Sequence, residues 1–281
     1  MISVIVLTYN RAHLLPRCVE DVLLRASDAT REIVVWNNGS DDETREYLDS
    51  IDSPRIRVVH HDTNIGTNAY ARAAELTTCP YIVGVDDDVI EAPHGWDDTL
   101  LQAFLKIPNI GYLVADLRAD PNDSAYQYLK YAKEVRKVYT RKEVNGVTIL
   151  EGPTGSGCAM TSREIYERVG GFGEHRKLVF WHEDAAYVRS VLKHGYRTAI
   201  LEELEVWHAG SPYYSKPSAA KLEFHEHHRR LTAAKDVVKK ILLSIPFVAS
   251  LNARHEWFGL PDEYEPPSFG DPARDDRSSS G

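Results

Sequence analysis

Segments typical of β-strands and of α-helices alternate along the first 90 residues, and this alternation restricts the fold more than any other feature. Short, strand-like apolar runs lie at 2–9, 32–36, 55–60 and 81–85. Segments with helical character separate these runs, at 12–25, 42–50 and 67–77. Strands joined by helices pair in parallel and are covered by helices on both faces. The sequence therefore predicts an α/β protein with a mostly parallel, Rossmann-like sheet.

Polar side chains follow three of these predicted strands. The first strand ends in Thr8-Tyr9-Asn10, the second runs into the polar turn 37–42, and the fourth ends in Asp86-Asp87-Asp88. In open α/β sheets, ligands bind beyond the carboxyl ends of the strands. We therefore expect the three segments to converge on one crevice.

The three consecutive aspartates point to a cation. Like charges at the end of a buried strand repel one another and lose solvation. A hard divalent cation relieves that cost and takes oxygen ligands from carboxylates and from a substrate's phosphates. A solvated acidic turn is the alternative, and the apolar strand at 81–85 argues against it.

The overall composition excludes several classes of protein. With 33 Lys and Arg against 42 Asp and Glu, the net charge is −9, which argues against a nucleic-acid partner. The three cysteines are far apart and form no CxxC pair, so we expect neither a zinc site nor disulfides. We see no signal peptide and no apolar run near the ~20 residues of a spanning helix. These features predict a cytoplasmic protein.

Five motifs, in the same order along the chain, resemble those of the family 2 glycosyltransferases. They are Ile5–Arg11, the 37–42 turn, Asn64-Ile65-Gly66, Asp86-Asp87-Asp88, and Gly170-Gly171-Phe172 followed by His182-Glu183-Asp184. The resemblance extends over residues 2–208 and leaves the C-terminal segment unexplained. No Gly-x-Gly-x-x-Gly follows the first strand and no Walker A sequence is present, which disfavours dinucleotide and P-loop sites.

The resemblance implies a GT-A fold and transfer of a sugar, with inversion, from a nucleotide diphosphate sugar (UDP-, GDP- or dTDP-linked) to a carbohydrate or lipid-linked acceptor. It also implies Mn²⁺ or Mg²⁺ and a role in polysaccharide or glycoconjugate synthesis. A nucleotidyltransferase acting on a sugar phosphate is one alternative, but Leu7–Pro16 lacks the Gly-rich, basic loop that such an enzyme needs. A catalytically silent sugar-binding module is the other.

Four groups of residues follow from the resemblance, namely metal ligands, donor contacts, a base and acceptor contacts. The metal ligands are Asp86, Asp88 and His208, and an imidazole ligand favours Mn²⁺ over Mg²⁺. The donor contacts are Thr8, Tyr9, Arg11, Asn37, Asn38, Asn64, Asp86 and Asp87. The alternative for Arg11 is a solvated residue at a helix start. The alternative for His208 is a surface histidine at the end of a strand. Many relatives carry aspartate where this chain has Asn37, and an amide both donates and accepts hydrogen bonds, so a preference for uridine is in doubt.

Inversion requires a base on the acceptor side. Asp184, in a helix predicted over 183–194, is the first choice and Glu183 the second; both are otherwise simple helix-start carboxylates. The acceptor contacts are Gly155, Ser156, Gly157 and Trp181. The alternative for the segment 155–157 is a loose connecting loop. The alternative for Trp181 is packing in the core.

The predicted organisation has four parts, namely a donor-binding half (1–115), an acceptor-binding and catalytic half (116–215), a helical appendage (216–262) and a disordered tail (263–281). Within 217–251, basic residues precede an apolar stretch. This pattern fits peripheral contact with the inner membrane face, a homo-oligomer contact, or packing on the main domain.

Overall fold

The computed structural model describes residues 1–119, 138–173 and 183–209, with isolated positions between 237 and 248. The first part is a regular βα succession. Its strands are β1 (Ile2–Thr8), β2 (Thr30–Asn38), β3 (Ile56–His61) and β4 (Tyr81–Asp86). Its helices are α1 (Leu15–Cys18), which continues as a π-helical turn (Val19–Leu23), α2 (Thr44–Asp49) and α3 (Asn68–Glu75).

The rest of the described chain is less regular. Its strands are β5 (Val89–Glu91), β6 (Ile110–Arg118), β7 (Thr140–Val144), β8 (Val147–Glu151), β9 (Cys158–Ser162) and β10 (Arg197–His208). Its helices are α4 (Trp96–Lys106), α5 (Arg163–Arg168) and α6 (Glu183–Lys193).

All these strands belong to one sheet in the order β3-β2-β1-β4-β9-β6-β10-β8-β7, with β5 paired to β10. Strands β1 to β4 are mutually parallel, and so are β6 and β10. Strand β9 runs antiparallel between β4 and β6. The prediction of an α/β fold with a mostly parallel, Rossmann-like sheet is confirmed.

Alternate residues of the central strands fill two apolar layers, because successive side chains of a strand point to opposite faces. In β1, Val4 and Val6 pack with Leu15 of α1 and Trp96 of α4. Ile5 faces the other layer, which includes Ala69, Ala73 and Ala74 of α3. Helices therefore cover both faces, and the carboxyl ends of β1, β2 and β4 meet at one edge of the sheet.

Several elements differ from the sequence-based expectation. The helix predicted over 12–25 is a short α-helix continued by a π-helical turn, and it starts near Pro16, whose missing N–H is tolerated in a first turn. Strand β5 was not predicted. The two strands expected at 197–201 and 205–207 are one strand with an irregularity between Leu201 and Glu205.

The chain divides into two compact units, Met1–Pro217 and Ser218–Gly281. The second unit holds most of the predicted appendage and the tail, which lie outside the described residues except for isolated positions. The segment 124–142 was predicted to be either a helix or a strand pair. It lies outside the described residues up to 137, and β7 begins at Thr140. Among the described helices, none is both long enough and apolar enough to cross a membrane.

Candidate active site

The aspartate segment is held in place from both sides. The backbone N–H of Asp86, at the end of β4, donates to the carbonyl of Gly157 at 2.8 Å. Strand β5 begins directly after the aspartates and pairs Val89 with His208 of β10. The N–H of Ala209 donates to the carbonyl of Asp88 at 2.7 Å. Pairing of β5 with β10 thus brings a distant histidine against the acidic segment.

Asp86, Asp88 and His208 form a group with the composition of a metal site. One ligand atom from each lies within 4.8 Å of the other two. His208 Nε2 is 3.1 Å from Asp88 Oδ1 and 4.0 Å from Asp86 Oδ2. Two carboxylates and one imidazole make a donor set that suits Mn²⁺. The residues present therefore fit a divalent cation.

The three aspartates differ in their affinity for protons. Burial, together with the charge of Asp88, raises the pKa of Asp86 to about 7. Burial raises the pKa of Asp87 to about 6 although Arg11 acts against it. Burial also opposes ionisation of Asp88, but His208 and Arg11 outweigh it and hold the pKa of Asp88 below its ordinary value. Asp88 is therefore the most firmly ionised of the three, as a metal ligand needs to be.

Arg11 is directed toward the aspartates. Its Nε lies 3.5 Å from Asp87 Oδ1 and its terminal Nη2 3.7 Å from Asp88 Oδ2. Only 10% of its side chain is exposed. The alternative of a solvated surface arginine is therefore wrong. Its contact with a donor substrate stays a prediction.

The loops after β1 and β2 are joined by side-chain hydrogen bonds. Asn10 Nδ2 donates to Asp41 Oδ1 at 2.5 Å, and the N–H of Asp41 donates back to Asn10 Oδ1 at 2.9 Å. The N–H of Arg11 donates to Thr44 Oγ1 at 3.0 Å. Gly39 closes the turn at φ 77°, where an added Cβ would lie 2.6 Å from the carbonyl carbon of Thr63. These contacts hold the two loops in one arrangement.

The amides of Asn37 and Asn38 are buried and engaged within the protein. Asn38 Nδ2 donates to Asn64 Oδ1 at 3.0 Å, and Asn38 Oδ1 accepts from the N–H of Ile65 at 3.1 Å. Asn37 Oδ1 accepts from the N–H of Ser40, and its Nδ2 lies 3.0 Å from His60 Nδ1. Both asparagines therefore position the loops at the carboxyl edge.

Thr8 and Tyr9 lie at the end of β1 beside these loops. Thr8 is buried, and Tyr9 and Asn64 are partly exposed. Burial, and next the charge of Asp41, raises the pKa of Tyr9. Tyr9 and Asn64 thus offer accessible polar groups at the crevice.

The predicted acceptor side is described in part. Gly157 is buried at φ 89°, Gly155 is exposed and Ser156 is partly exposed. Helix α6 begins at Glu183, so that Glu183 and Asp184 open its first turn. The side chains of that pair, and Trp181, lie outside what the structure describes.

Tyr70 of α3 was missed by the sequence analysis. Its hydroxyl donates to Asp86 Oδ1 at 3.0 Å. It is the one large aromatic residue within the alanine-rich segment 67–77. That contrast was the available signal, since a helix of small residues packs closely on a sheet and a single tyrosine there projects beyond its neighbours.

Comparisons with known proteins identify the family and the fold. The model of glycosyl transferase family 2 matches residues 3–170, more than half of the chain. The chain is 31% identical over 108 residues to a putative colanic acid biosynthesis glycosyl transferase, WcaA, of Escherichia coli K12. That match covers 37% of each protein, so the chain spans little more than a third of the length of this curated relative.

Two solved structures share the fold. One is GalNAc-T7 with UDP, GalNAc and Mn²⁺, with a TM-score of 0.58 and 16% identity over 74% of this chain and 44% of that one. The other is the mannosyltransferase PcManGT of Pyrobaculum calidifontis in complex with GDP-Man and Mn²⁺, with a TM-score of 0.52 and 25% identity over 74% of this chain and 56% of that one.

Proposed function

Because the chain belongs to glycosyl transferase family 2, we propose that it transfers a sugar from a nucleotide diphosphate sugar to an acceptor hydroxyl with inversion. The observation that carries the proposal is the convergence of Asp86, Asp88 and His208 within 4.8 Å at the carboxyl edge of the sheet. The loops after β1 and β2, where a nucleotide is expected, lie at the same edge.

We propose that Asp86, Asp88 and His208 hold a divalent cation, with Mn²⁺ preferred. Such a cation, when bound, neutralises the charge that builds on a departing diphosphate. The imidazole ligand favours Mn²⁺. The Mn²⁺ present in the complexes of GalNAc-T7 and PcManGT supports the same choice.

The donor nucleotide is proposed to lie against the loops after β1 and β2. Tyr9 and Asn64 would contact the base and ribose directly, and Thr8, Asp86 and Asp87 border the same crevice. Asn37 and Asn38 hold these loops through internal hydrogen bonds, and they are proposed as further donor contacts. UDP-, GDP- and dTDP-linked sugars are the donors to be tested, since Asn37 replaces the aspartate that many relatives have.

Asp184 is proposed as the general base, with Glu183 as the alternative. In an inverting transfer, the acceptor hydroxyl attacks from the side opposite the leaving group and loses its proton during the attack. A carboxylate in the first turn of α6 is kept ionised by the helix dipole, so that it would act chiefly through its position. The 155–157 segment and Trp181 are proposed to border the acceptor.

The experiment is a donor screen that measures release of nucleoside diphosphate from UDP-, GDP- and dTDP-sugars, with Mn²⁺ or Mg²⁺. Release that depends on both the metal and an acceptor supports the proposal, and the anomeric configuration of the product, read by NMR, tests inversion. Release of pyrophosphate from a nucleoside triphosphate would instead identify a nucleotidyltransferase. Binding of sugar without turnover would identify a sugar-binding module.

The second unit is proposed to contact the membrane surface or a second copy of the chain. Its described apolar residues Val237, Ile241 and Phe247 are 58%, 61% and 71% exposed. Lysines and arginines accompany them in the sequence, as in interfacial helices. A chain lacking 221–281 should lose binding to anionic vesicles. If it binds them unchanged, membrane contact through this segment is wrong, and the mass of both chains in solution then tests self-association.

A further inference from the structure

Arg11 is fixed between the first loop and the aspartates. Its carbonyl accepts from the N–H groups of Leu14 and Leu15, both at 2.9 Å, and its own N–H donates to Thr44 Oγ1 at 3.0 Å. Its guanidinium reaches Asp87 and Asp88 at 3.5 and 3.7 Å. A guanidinium anchored in this way contributes a permanent positive charge at one place.

The charges of the three aspartates show what the guanidinium of Arg11 contributes. Asp86, Asp87 and Asp88 together carry three formal negative charges when ionised. A divalent cation leaves one of these charges uncompensated, and a nucleoside diphosphate brings further negative charge to the same place. The positive charge of Arg11 brings the three aspartates and a divalent cation to neutrality. Without it, the loaded site would repel the diphosphate.

We propose that Arg11 is a charge-balancing and positioning residue, which lets the aspartate cluster accept the diphosphate of a donor while the cluster holds a divalent cation. The inference rests on the proposed function, because it assumes that the diphosphate binds next to the cation. It differs from the expectation of a direct donor contact, since Arg11 acts through Asp87 and Asp88.

This role predicts opposite effects on the two ligands. In Arg11→Met, which keeps the length of the side chain but removes its charge, the cluster becomes more negative. Mn²⁺ alone should bind as tightly as to the wild type or more tightly. UDP or GDP in the presence of Mn²⁺ should bind about tenfold more weakly, the order of effect for one unit charge lost at several ångströms from a partly screened site. A purely structural role would weaken both.

The measurements are Mn²⁺ affinity by electron paramagnetic resonance and UDP and GDP affinity by calorimetry, at pH 8, on the full chain. Arg11→Lys should restore most of the nucleotide affinity, because it retains the charge. Asp87→Asn should have the reverse effect on the cation, with weaker Mn²⁺ binding than in the wild type. The double variant Arg11→Met, Asp87→Asn should return both affinities toward those of the wild type.

Arg55→Met is the matched control, since Arg55 donates to the carbonyls of Ala26 and Ser27 rather than to a carboxylate. It should leave both affinities unchanged. Loss of Mn²⁺ affinity in Arg11→Met, or unchanged affinity for both ligands, would overturn the inference. If the wild type bound neither UDP nor GDP, the donor assignment would fail, and the Mn²⁺ affinity of Arg11→Met would still decide the role of Arg11.

Discussion

The two sides of the candidate site are built differently. On the donor side, the loops after β1 and β2 follow neighbouring parallel strands and are joined by paired side-chain hydrogen bonds such as those between Asn10 and Asp41. On the other side, His208 and Gly157 come from β10 and from the segment before β9, and reach the aspartates through strand pairing and one backbone hydrogen bond. The donor loops are thus held to each other by side-chain hydrogen bonds, and the rest of the site by the register of the sheet.

Because the two sides are built separately, substitutions should be able to separate donor binding from the transfer step. Substitutions in the aspartate cluster should affect both the cation and the donor, because these residues lie where the two sides meet. Substitutions confined to α6 should reduce transfer and spare the donor. The following variants test that division, from the largest expected effect to the smallest.

Asp88→Asn should have the largest effect. Asp88 lies against both His208 and Arg11 and is the most firmly ionised aspartate of the cluster. Its loss should reduce transfer by about 10³-fold and abolish tight Mn²⁺ binding. Paramagnetic resonance and a diphosphate-release assay measure the two effects. Asp98→Asn, on α4, is the control. If Asp88→Asn were as active as Asp98→Asn, the assignment of Asp88 as a metal ligand would be wrong.

Asp184→Asn should reduce transfer by about 10² to 10³-fold, because the acceptor hydroxyl would lose its base. Donor and Mn²⁺ affinities, measured by calorimetry, should stay as in the wild type. Glu183→Gln serves as the comparison variant. If Glu183→Gln is the inactive variant and Asp184→Asn is not, then Glu183 is the base. If donor affinity falls in Asp184→Asn as well, the division between the two sides is wrong.

His208→Gln should lower Mn²⁺ affinity by on the order of tenfold to a hundredfold. Because imidazole discriminates between the two metals, the affinity for Mg²⁺ should fall less, and the preference for Mn²⁺ should narrow. Competition between the two ions, followed by paramagnetic resonance, measures this. An unchanged preference for Mn²⁺ over Mg²⁺ would show that the imidazole of His208 is not a metal ligand.

Tyr70→Phe should have a smaller effect. It removes the hydrogen bond to Asp86, worth about 0.5 to 1.5 kcal/mol, so that Mn²⁺ affinity and kcat/KM should change by only a fewfold. Tyr187→Phe is the matched control, because the hydroxyl of Tyr187 forms a hydrogen bond with Thr161 Oγ1 in the core. That control should lower Tm without altering Mn²⁺ affinity. Equal Mn²⁺ affinity in Tyr70→Phe and the wild type would contradict a supporting role for Tyr70.

The weakest effect should be on thermal stability as a function of pH. The pKa of Asp86 is raised to about 7, chiefly by burial and then by Asp88, so its protonated form is favoured in the metal-free fold. The protonated form of Asp86 therefore stabilises the fold. This stabilisation is complete below the ordinary aspartate pKa and is lost as pH rises through about 7. Asp87, with a pKa of about 6, acts in the same direction.

Metal-free protein should therefore show a Tm that falls by a few degrees between about pH 5 and pH 8. The decline should be smaller in Asp86→Asn and should disappear with excess Mn²⁺, which binds the ionised carboxylates. Calorimetry across this range is the measurement. A Tm that rises over the same interval in the metal-free wild type, with Asp86→Asn unchanged from it, would show that Asp86 is not protonated in the fold.

Much of the fold was predictable because it depends on local periodicity. Apolar runs of strand length and helically spaced apolar residues identified β1 to β4 and the helices between them, and five ordered motifs identified the family. The π-helical turn at Val19–Leu23 was not foreseen, since a helical pattern of apolar residues does not distinguish it from an α-helix. Strand β5 was hidden because three residues next to a charged segment have no pattern of their own.

The sequence by itself determined the layers of this protein and the position of its acidic segment, because the alternation of apolar residues decides which faces are buried and a strand end decides where the aspartates lie. Only the tertiary structure decided how the partners of the aspartates reach them. His208 reaches Asp88 through the pairing of β5 with β10, Tyr70 reaches Asp86 through the packing of α3, and Arg11 turns inward to Asp87. These contacts depend on the register and packing of distant elements, which local periodicity does not encode.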